Sequence, residues 1–275
     1  MDLLVKLGNI DRRVIYILLI LATLVPLVRP IGLPFSVSEA TKKFYAAVEQ
    51  VPAGETILMA IDYSVGGGPD IHPQGQAVFR HAMARGLKVV FVAFVTEGTE
   101  FANQIIAEGE KMAGKTYGVD FVNLGYVPGS EVAISAFAQD VLKVYPKDVR
   151  GNVTADLPIM QGIATVADFV LVTEFATGIP GPSEWIKQVG TRYNVPLAIG
   201  VVTVMGPQTT PYYQAGQLVG LLSGLKSAAE YEVAMKAPGL ATAAMDAQSI
   251  DHIVIVLFII LGNIAYFAGK GKKGR

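Results

Sequence analysis

The sequence predicts a Rossmann-like α/β domain, with an open and mostly parallel sheet of about five strands, flanked by N- and C-terminal transmembrane helices. Two patterns lead to this prediction. The longest uncharged apolar runs of the 275-residue chain lie near its two ends, at residues 14–28 and 253–268. Between them, short β-branched runs alternate with helical patterns, which is typical of βαβ units and a parallel sheet.

Both apolar runs have the composition of membrane spans. The predicted transmembrane helices cover residues 14–30 and 250–268, with charged residues at their borders. A span needs about 20 mostly apolar residues, and only 16% of the chain is charged, against about 25% in soluble domains. A signal peptide is the alternative for the first run, but the bulky, proline-rich residues 29–34 that follow it favour an uncleaved anchor.

The distribution of lysine and arginine predicts the orientation of the chain. The C-terminal segment 269–275 carries four basic residues, whereas Lys236 is the only one within reach before the second span. By the positive-inside rule, residues 1–13 and 269–275 are expected in the cytoplasm and residues 36–249 outside it. The basic residues around the first span do not decide between the two sides, and a third membrane segment would reverse the orientation.

Between the spans, the sequence predicts a connecting helix and then the α/β domain, at residues 51–207. Ser36 and Glu39 fit a capping box, so the connecting helix is predicted at residues 36–50. Continuous apolar runs predict strands that are buried on both faces. The predicted strands are 56–62, 88–95, 119–124, 168–174 and 197–204, and the predicted helices are 73–85, 99–114, 130–143 and 183–193. The long interruption at 144–167 is predicted to be a loop with a short helix near residues 158–166.

Residues 208–249 are predicted to form a glycine-ridged helix, at 212–236, and a small, flexible linker back to the membrane. Four small residues recur in this helix at every fourth position: Gly216, Gly220, Gly224 and Ala228. On a helix this spacing makes one smooth ridge, and the close approach of a second helix would offset the destabilising effect of glycine. We expect an interface between copies of the chain, and hence a homo-oligomer. Packing on the domain's own sheet and a third membrane segment are the alternatives.

Ligands of open parallel sheets bind where the strands end and the loops enter helices. The loops at this edge are polar or rich in glycine, and the glycines after the first strand leave backbone amides open to a ligand. The glycine loop after the first strand is not G-x-G-x-x-G, and no Walker lysine follows it. The candidate ligand-binding residues are Asp62, Ser64, Gly66, Gly67, Gly68, Thr96, Glu97, Gly129, Ser130 and Glu174.

For each group of acidic candidates, a purely structural role is the alternative to a functional one. The glycine loop is either a ligand-binding loop or a flexible turn, and Asp62 with Asp70 is an alternative cation site. Glu97 follows the second predicted strand and Glu174 the fourth. They are either a converging acid/base pair or solvated loop carboxylates.

Histidine, serine and tryptophan give weaker signals. Ser130 is either a helix N-cap or a nucleophile that pairs with His72. His81 lies in a predicted helix and is expected on its surface. Trp185 is the only tryptophan of the chain and is expected in the core or in an interface.

The pattern of strand, turn and glycines at Asp62–Gly68 resembles that of membrane serine peptidases of the crotonase-like type. A later nucleophile with a lysine or histidine partner is not recognisable. The resemblance therefore assigns no catalytic residue.

Composition excludes several function classes. The net charge of −1 argues against nucleic-acid binding by phosphate neutralisation. The absence of cysteine excludes disulfides, thiolate catalysis and cysteine-bound metals. The sequence identifies neither a cofactor nor a metal site. We expect a two-pass membrane protein in contact with the lipid bilayer, whose domain is a non-enzymatic scaffold that binds an unidentified small-molecule ligand or a partner, or self-assembles. The alternative is a membrane-anchored hydrolase or transferase that uses the loop edge of the sheet.

Overall fold

A computed structural model describes residues 11–33 and 35–273, with side chains to residue 267. The predicted cytoplasmic segment 1–13 therefore lies almost wholly outside the described residues, as do the side chains of the basic tail. The chain divides into two compact units. One is formed by residues 36–237, and the other by the two ends of the chain, up to residue 35 and from residue 238.

Residues 36–237 form a parallel sheet with helices. The sheet has six strands instead of the five predicted, in the order β3-β2-β1-β4-β5-β6, and every neighbouring pair is parallel. This is the order of doubly wound, Rossmann-type sheets. The strands are β1 Thr56–Asp62, β2 Lys88–Ala93, β3 Phe121–Tyr126, β4 Val172–Ala176, β5 Leu197–Val201 and β6 Gly220–Ser223.

The apolar runs become strands because helices cover both faces of the sheet. All residues of β4 and β5 are buried, and only the first residue of β1 and of β2 is not. The prediction at 56–62 agrees with β1 residue for residue. The fourth strand begins four residues later than predicted, because Thr165 and Asp168 form a capping box around a 3₁₀ turn at Val166–Asp168.

The helices of this unit follow the predicted alternation with shifted ends. They are α2 Glu39–Glu49, α3 Gly68–Ala84, α4 Gly98–Gly109, α5 Ser130–Gln139, α6 Val141–Val144, α7 Pro182–Trp185, α8 Thr191–Tyr193, α9 Gly206–Gln214 and α10 Gly224–Ala234. Here α1 is the N-terminal helix, Arg12–Val28.

Helix α2 is capped by Ser38, whose Oγ accepts from the Thr41 N–H, so the prediction of Ser36 as the cap is wrong. Residues 144–167 contain 3₁₀ turns at Thr154–Asp156 and Pro158–Met160 instead of the predicted short helix.

The predicted glycine-ridged helix at 212–236 is wrong. Helix α9 ends at Gln214, Gly216 lies in a turn with φ +76°, and Gly220 begins strand β6. Gly224 has φ +71° at the start of α10. Positive φ at two of the three glycines is incompatible with one continuous helix. The four small residues therefore form no common ridge, and the self-association argued from it loses its basis.

The two ends of the chain form a pair of helices, α1 and α11, Leu240–Lys273. Thr23 Oγ1 donates to Asp251 Oδ2 over 2.8 Å, and the backbone amides of residues 31–33 donate to Asp246. These contacts make the helices antiparallel. Residues 240–249, predicted as a flexible linker, belong to α11. Within the described part of the chain one helix, over Leu240–Phe267, is long and apolar enough to cross a membrane. The 17-residue α1 does not show a second span.

Candidate functional site

The switch point of the sheet lies between β1 and β4. The connection after β1 leads to β2 on one side, and the connection after β4 leads to β5 on the other. Ligands of doubly wound sheets bind in the crevice that such a divergence opens at the carboxyl edge. Here the two loops contact each other, because the Ser64 N–H donates to Thr177 Oγ1 over 3.1 Å.

The glycine loop after β1 is packed against this crevice. Residues Val65–Gly67 form a 3₁₀ turn, and helix α3 begins directly at Gly68. A side chain at Gly67 would overlap Thr177 and come into contact with Val202, whereas Gly66 faces open space. Gly67 therefore allows close packing of the protein on itself rather than the approach of a ligand.

Asp70 holds neighbouring loops together. Its Oδ2 accepts from the Thr203 N–H over 2.6 Å, and its Oδ1 accepts from the Leu225 N–H over 2.8 Å. Asp62 has different partners, Phe94 and Trp185, so the two aspartates do not form the alternative cation site. Among the described residues, no group of three or more histidine, cysteine, aspartate or glutamate side chains is placed to hold a metal ion.

Asp62 ends β1 and is completely buried. Its Oδ1 accepts from the Phe94 N–H over 2.7 Å, and its Oδ2 accepts from Trp185 Nε1 over 2.9 Å. Burial raises the pKa of Asp62 to about 7, although both hydrogen bonds act in the opposite direction. Trp185 is fully buried in the core. It is also the residue that holds this carboxyl group in place.

Glu174 is a second buried carboxyl group on the same face of the sheet. It lies inside β4, not after the strand as predicted. The register pairs Glu174 with Ala60 and Ala176 with Asp62, so both acidic side chains point to the face where Trp185 lies. Neither carboxyl oxygen of Glu174 has a hydrogen-bond partner. Burial first, and then the charges of Asp62 and Glu184, raise the pKa of Glu174 well above its usual value.

A cavity of about 240 Å³ opens at the carboxyl edge of β4 and β5. The loop after β4 and the start of α7 form one side, and residues after β5 form the other. The lining residues are Gly178, Ile179, Pro182, Ser183, Glu184, Met205, Gln208, Thr209 and Tyr212. None of them is basic. The Oε2 atom of Glu184 accepts from the Gly181 N–H over 2.9 Å, and its Oε1 accepts from Ser183 Oγ over 2.7 Å.

The remaining candidates do not meet at this cavity. Thr96 and Glu97 lie in the loop before α4, and the carboxylates that affect the pKa of Glu174 are Asp62 and Glu184. The predicted pair of Glu97 and Glu174 is therefore not formed.

Ser130 is the first residue of α5 and has φ +48°, while Gly129 takes the N-cap position with φ +125°. Ser130 therefore lies next to the N-cap position, which Gly129 occupies. His72 Nδ1 is hydrogen-bonded to the Tyr63 hydroxyl over 2.7 Å. The proposed His72–Ser130 pair is not formed.

His81 is buried, and its prediction as a surface residue is wrong. Its Nδ1 lies 2.8 Å from the Tyr231 hydroxyl, its Nε2 lies 2.8 Å from Glu49 Oε2, and Tyr45 stacks on its ring. His81 is seven residues after the buried Gln74, so it lies on the same face of α3. This seven-residue spacing could have predicted from the sequence that His81 is buried. These contacts join α2, α3 and α10.

Comparisons with known proteins do not identify the chain. No protein-family model matches it, and no curated protein matches it. Among solved structures it is similar to a trehalose-6-phosphate synthase, with 11% identity over 87% of this chain and 47% of that one, at a TM-score of 0.31. It is also similar to a mycobacterial quinone oxidoreductase, with 16% identity over 81% of this chain and 63% of that one, at a TM-score of 0.28. The chain thus spans less than two thirds of either protein, and likenesses this distant assign it no activity.

Proposed function

We propose that this chain is a two-pass membrane protein whose α/β domain binds a small polar ligand in the cavity beside Glu184. The observation that carries the proposal is the position of this cavity, at the carboxyl edge of β4 and β5. In open α/β sheets ligands bind outside the carboxyl ends of the strands, and this cavity lies beside the switch point, on the β5 side of β4. Ligand sites are also concave, largely apolar, and supplied with a few convergent polar groups. Ile179, Met205 and Pro182 supply the apolar part here, and Glu184, Gln208 and Thr209 the polar part.

The surroundings of the switch point argue against a dinucleotide as the ligand. A pyrophosphate needs open backbone amides at a helix N-terminus or a basic partner. The Gly67 segment is packed on Thr177, and no lysine or arginine lines the cavity. A small molecule without phosphate groups fits this chemistry better.

Trp185 provides the test of ligand binding. It is the only tryptophan, it is buried, and it directly follows the cavity residue Glu184. We expect a screen of small polar molecules against the detergent-solubilised chain to yield compounds that change Trp185 fluorescence. Ser183→Phe should narrow the cavity and abolish the response, whereas Ser135→Phe on α5, outside this cavity, should leave it intact. A response that survives Ser183→Phe would place the ligand elsewhere.

One observation favours a second candidate, a membrane-anchored hydrolase or transferase. Ser183 Oγ donates to Glu184 Oε1 inside the cavity, and a buried carboxyl group with a raised pKa, Glu174, is close enough to interact electrostatically with Glu184. Perturbed carboxyl groups cluster at catalytic sites. A fluorophosphonate probe should then label wild-type protein and the Ser64→Ala variant but not Ser183→Ala. Absence of labelling in the wild type would leave binding alone as the function.

The proposal also includes a second membrane crossing by α1 and an orientation of the α/β domain relative to the membrane. Helix α1 is apolar throughout its interior and pairs antiparallel with α11 through Thr23 and Asp251, which supports two crossings. The basic tail after residue 269 supports a cytoplasmic C-terminus and an extracytoplasmic domain. Because the chain has no cysteine, Asn152→Cys and a cysteine added after Arg275 can be labelled singly. In intact cells an impermeant maleimide should label the first and not the second. The reverse result would invert the topology.

A further inference from the structure

The cavity beside Glu184 lies in a region with three carboxyl groups and has no basic residue in its lining. Glu184 lines the cavity, and its charge acts on the pKa of Glu174, as does that of Asp62. The three carboxyl groups therefore lie near one another. The nearby Lys187 lies outside the lining of the cavity and pairs with Glu131 over 2.6 Å, and its charge also acts on Glu184.

Glu174 does not itself line the cavity, but its pKa responds to Glu184 in the lining. It is completely buried, and both of its carboxyl oxygens lack any hydrogen-bond partner. Buried polar groups are ordinarily paired, so an unpaired carboxyl group marks a place where a partner is missing. The partners of Asp62 and Glu184 are neutral N–H and hydroxyl groups. No lysine or arginine lines the cavity beside them.

The mouth of the cavity is apolar. Ile179 lines the cavity and is 81% exposed, and Val204, next to the lining residue Met205, is 84% exposed. Tyr212 adds an aromatic ring to the lining. Apolar and aromatic surfaces bind the alkyl groups of a ligand, and aromatic faces attract organic cations.

We propose that the cavity recognises a small organic ammonium ion, with the positive group toward Glu184 and the alkyl part against Ile179 and Tyr212. This inference rests on the proposed function, since it requires the cavity to be a binding site. It specifies the chemical class of the ligand. Metal cations are a poorer fit, because the described residues contain no set of three acidic or histidine ligands in metal-binding geometry.

Binding of such a cation should be coupled to proton release. In the free protein, burial favours the protonated forms of Asp62 and Glu174, and the charges of Asp62 and Glu184 add to this effect at Glu174. A positive charge in the cavity favours their ionised forms instead. Titration calorimetry in two buffers of different ionisation enthalpy should therefore give different binding enthalpies near pH 7.

Choline and its uncharged isostere 3,3-dimethylbutan-1-ol form a matched pair of probes, because they differ only in the quaternary nitrogen and its charge. The experiment titrates each into the full chain, in a maltoside detergent that lacks a choline headgroup, and follows Trp185 fluorescence. We expect choline to bind at least about tenfold more tightly than the isostere, the effect of one favourable ionic contact. Inorganic phosphate should not bind.

Glu184→Gln should reduce choline affinity about tenfold and leave the affinity for the isostere unchanged. The matched control is Glu97→Gln, at the same edge of the sheet but outside the cavity, which should bind choline like the wild type. Equal affinities for choline and its isostere would overturn the cation proposal while the proposed binding function stands. If neither these probes nor the library of small molecules changes Trp185 fluorescence, both proposals fail.

Discussion

Trp185 donates its indole N–H to the carboxyl group of Asp62, from Nε1 to Oδ2 over 2.9 Å. This bond joins helix α7, which follows β4, to the last residue of β1, across the switch point of the sheet. The backbone N–H of Phe94 donates to the other carboxyl oxygen, Oδ1. An acid held by two neutral donors in the core has a defined position but no counter-ion. Its charge state should therefore affect both the stability of the domain and any ligand beside it.

Replacing Asp62 with asparagine should remove a pH-dependent loss of stability. The pKa of Asp62 in the folded chain, about 7, lies above its unfolded value near 3.8. Below the unfolded value both states are protonated, and there is no penalty. As the pH rises from about 4 to about 7, only the unfolded chain ionises, so the folded state loses about 4 kcal/mol. Urea unfolding followed by Trp185 fluorescence measures the free energy of unfolding. Between pH 4 and pH 7, that of Asp62→Asn should rise by about 4 kcal/mol relative to wild type.

The control for this prediction is Glu97→Gln, which changes a loop carboxyl group at the same edge of the sheet. Its stability relative to wild type should vary little over the same pH range. A difference between Asp62→Asn and wild type that is constant from pH 4 to pH 8 would mean that Asp62 is not the titrating group.

Glu174 should carry a proton at neutral pH. An ionised, unpaired and fully buried carboxylate would be very costly, and its pKa is raised well above the usual value by burial. We therefore expect Glu174→Gln to stabilise the folded chain at pH 7 relative to pH 4, because only the unfolded wild-type chain ionises at this position as the pH rises. The infrared band of a protonated carboxyl group should be present in wild type and in Glu97→Gln, and weakened in Glu174→Gln. A carboxyl band that Glu174→Gln leaves unchanged would contradict a protonated Glu174 in the native protein.

The parallel sheet could be predicted because its signals are local. Each strand is a continuous apolar run, and such runs remain recognisable whatever packs on them. The edge of the sheet that carries Asp62 followed from the same alternation. The partner of Asp62 could not be predicted, since Trp185 lies 123 residues away in the chain, and no local pattern encodes that contact.

The sixth strand was missed for a different reason. Gly216, Gly220 and Gly224 recur at a helical spacing, but each is required by a separate local condition. Gly216 and Gly224 have positive φ angles, and Gly220 packs against the backbone of Phe44. Periodicity alone does not distinguish three independent requirements from one ridge. The short strand Gly220–Ser223 also offers only four residues of apolar pattern.

The glycine loop offers a matched pair of substitutions. A Cβ at Gly66 would make only an ordinary contact, 4.0 Å from Ser64 Oγ, whereas one at Gly67 would overlap Thr177. Neither residue has a positive φ angle, so alanine is free of backbone strain at both positions. Gly66→Ala should be neutral or stabilise by up to about 1 kcal/mol, and Gly67→Ala should destabilise by about 1–3 kcal/mol through overpacking. Equal thermal stabilities for the two variants would show that Gly67 is not packed against the loop after β4.

Gly220 distinguishes packing within the domain from association between copies. It lies in β6, buried against the backbone of Phe44 in α2, and a side chain there would overlap backbone atoms that have no room to move. We expect Gly220→Ala to destabilise the domain by at least about 3 kcal/mol and leave the size of the still-folded, detergent-solubilised species unchanged. Gly216→Ala is the control, because Gly216 is exposed and meets no atom within 4 Å. It should cost only about 1 kcal/mol, for its positive φ. A Gly220→Ala protein that is fully stable but smaller in size-exclusion chromatography would contradict the packing on α2 and restore Gly220 as a contact between copies.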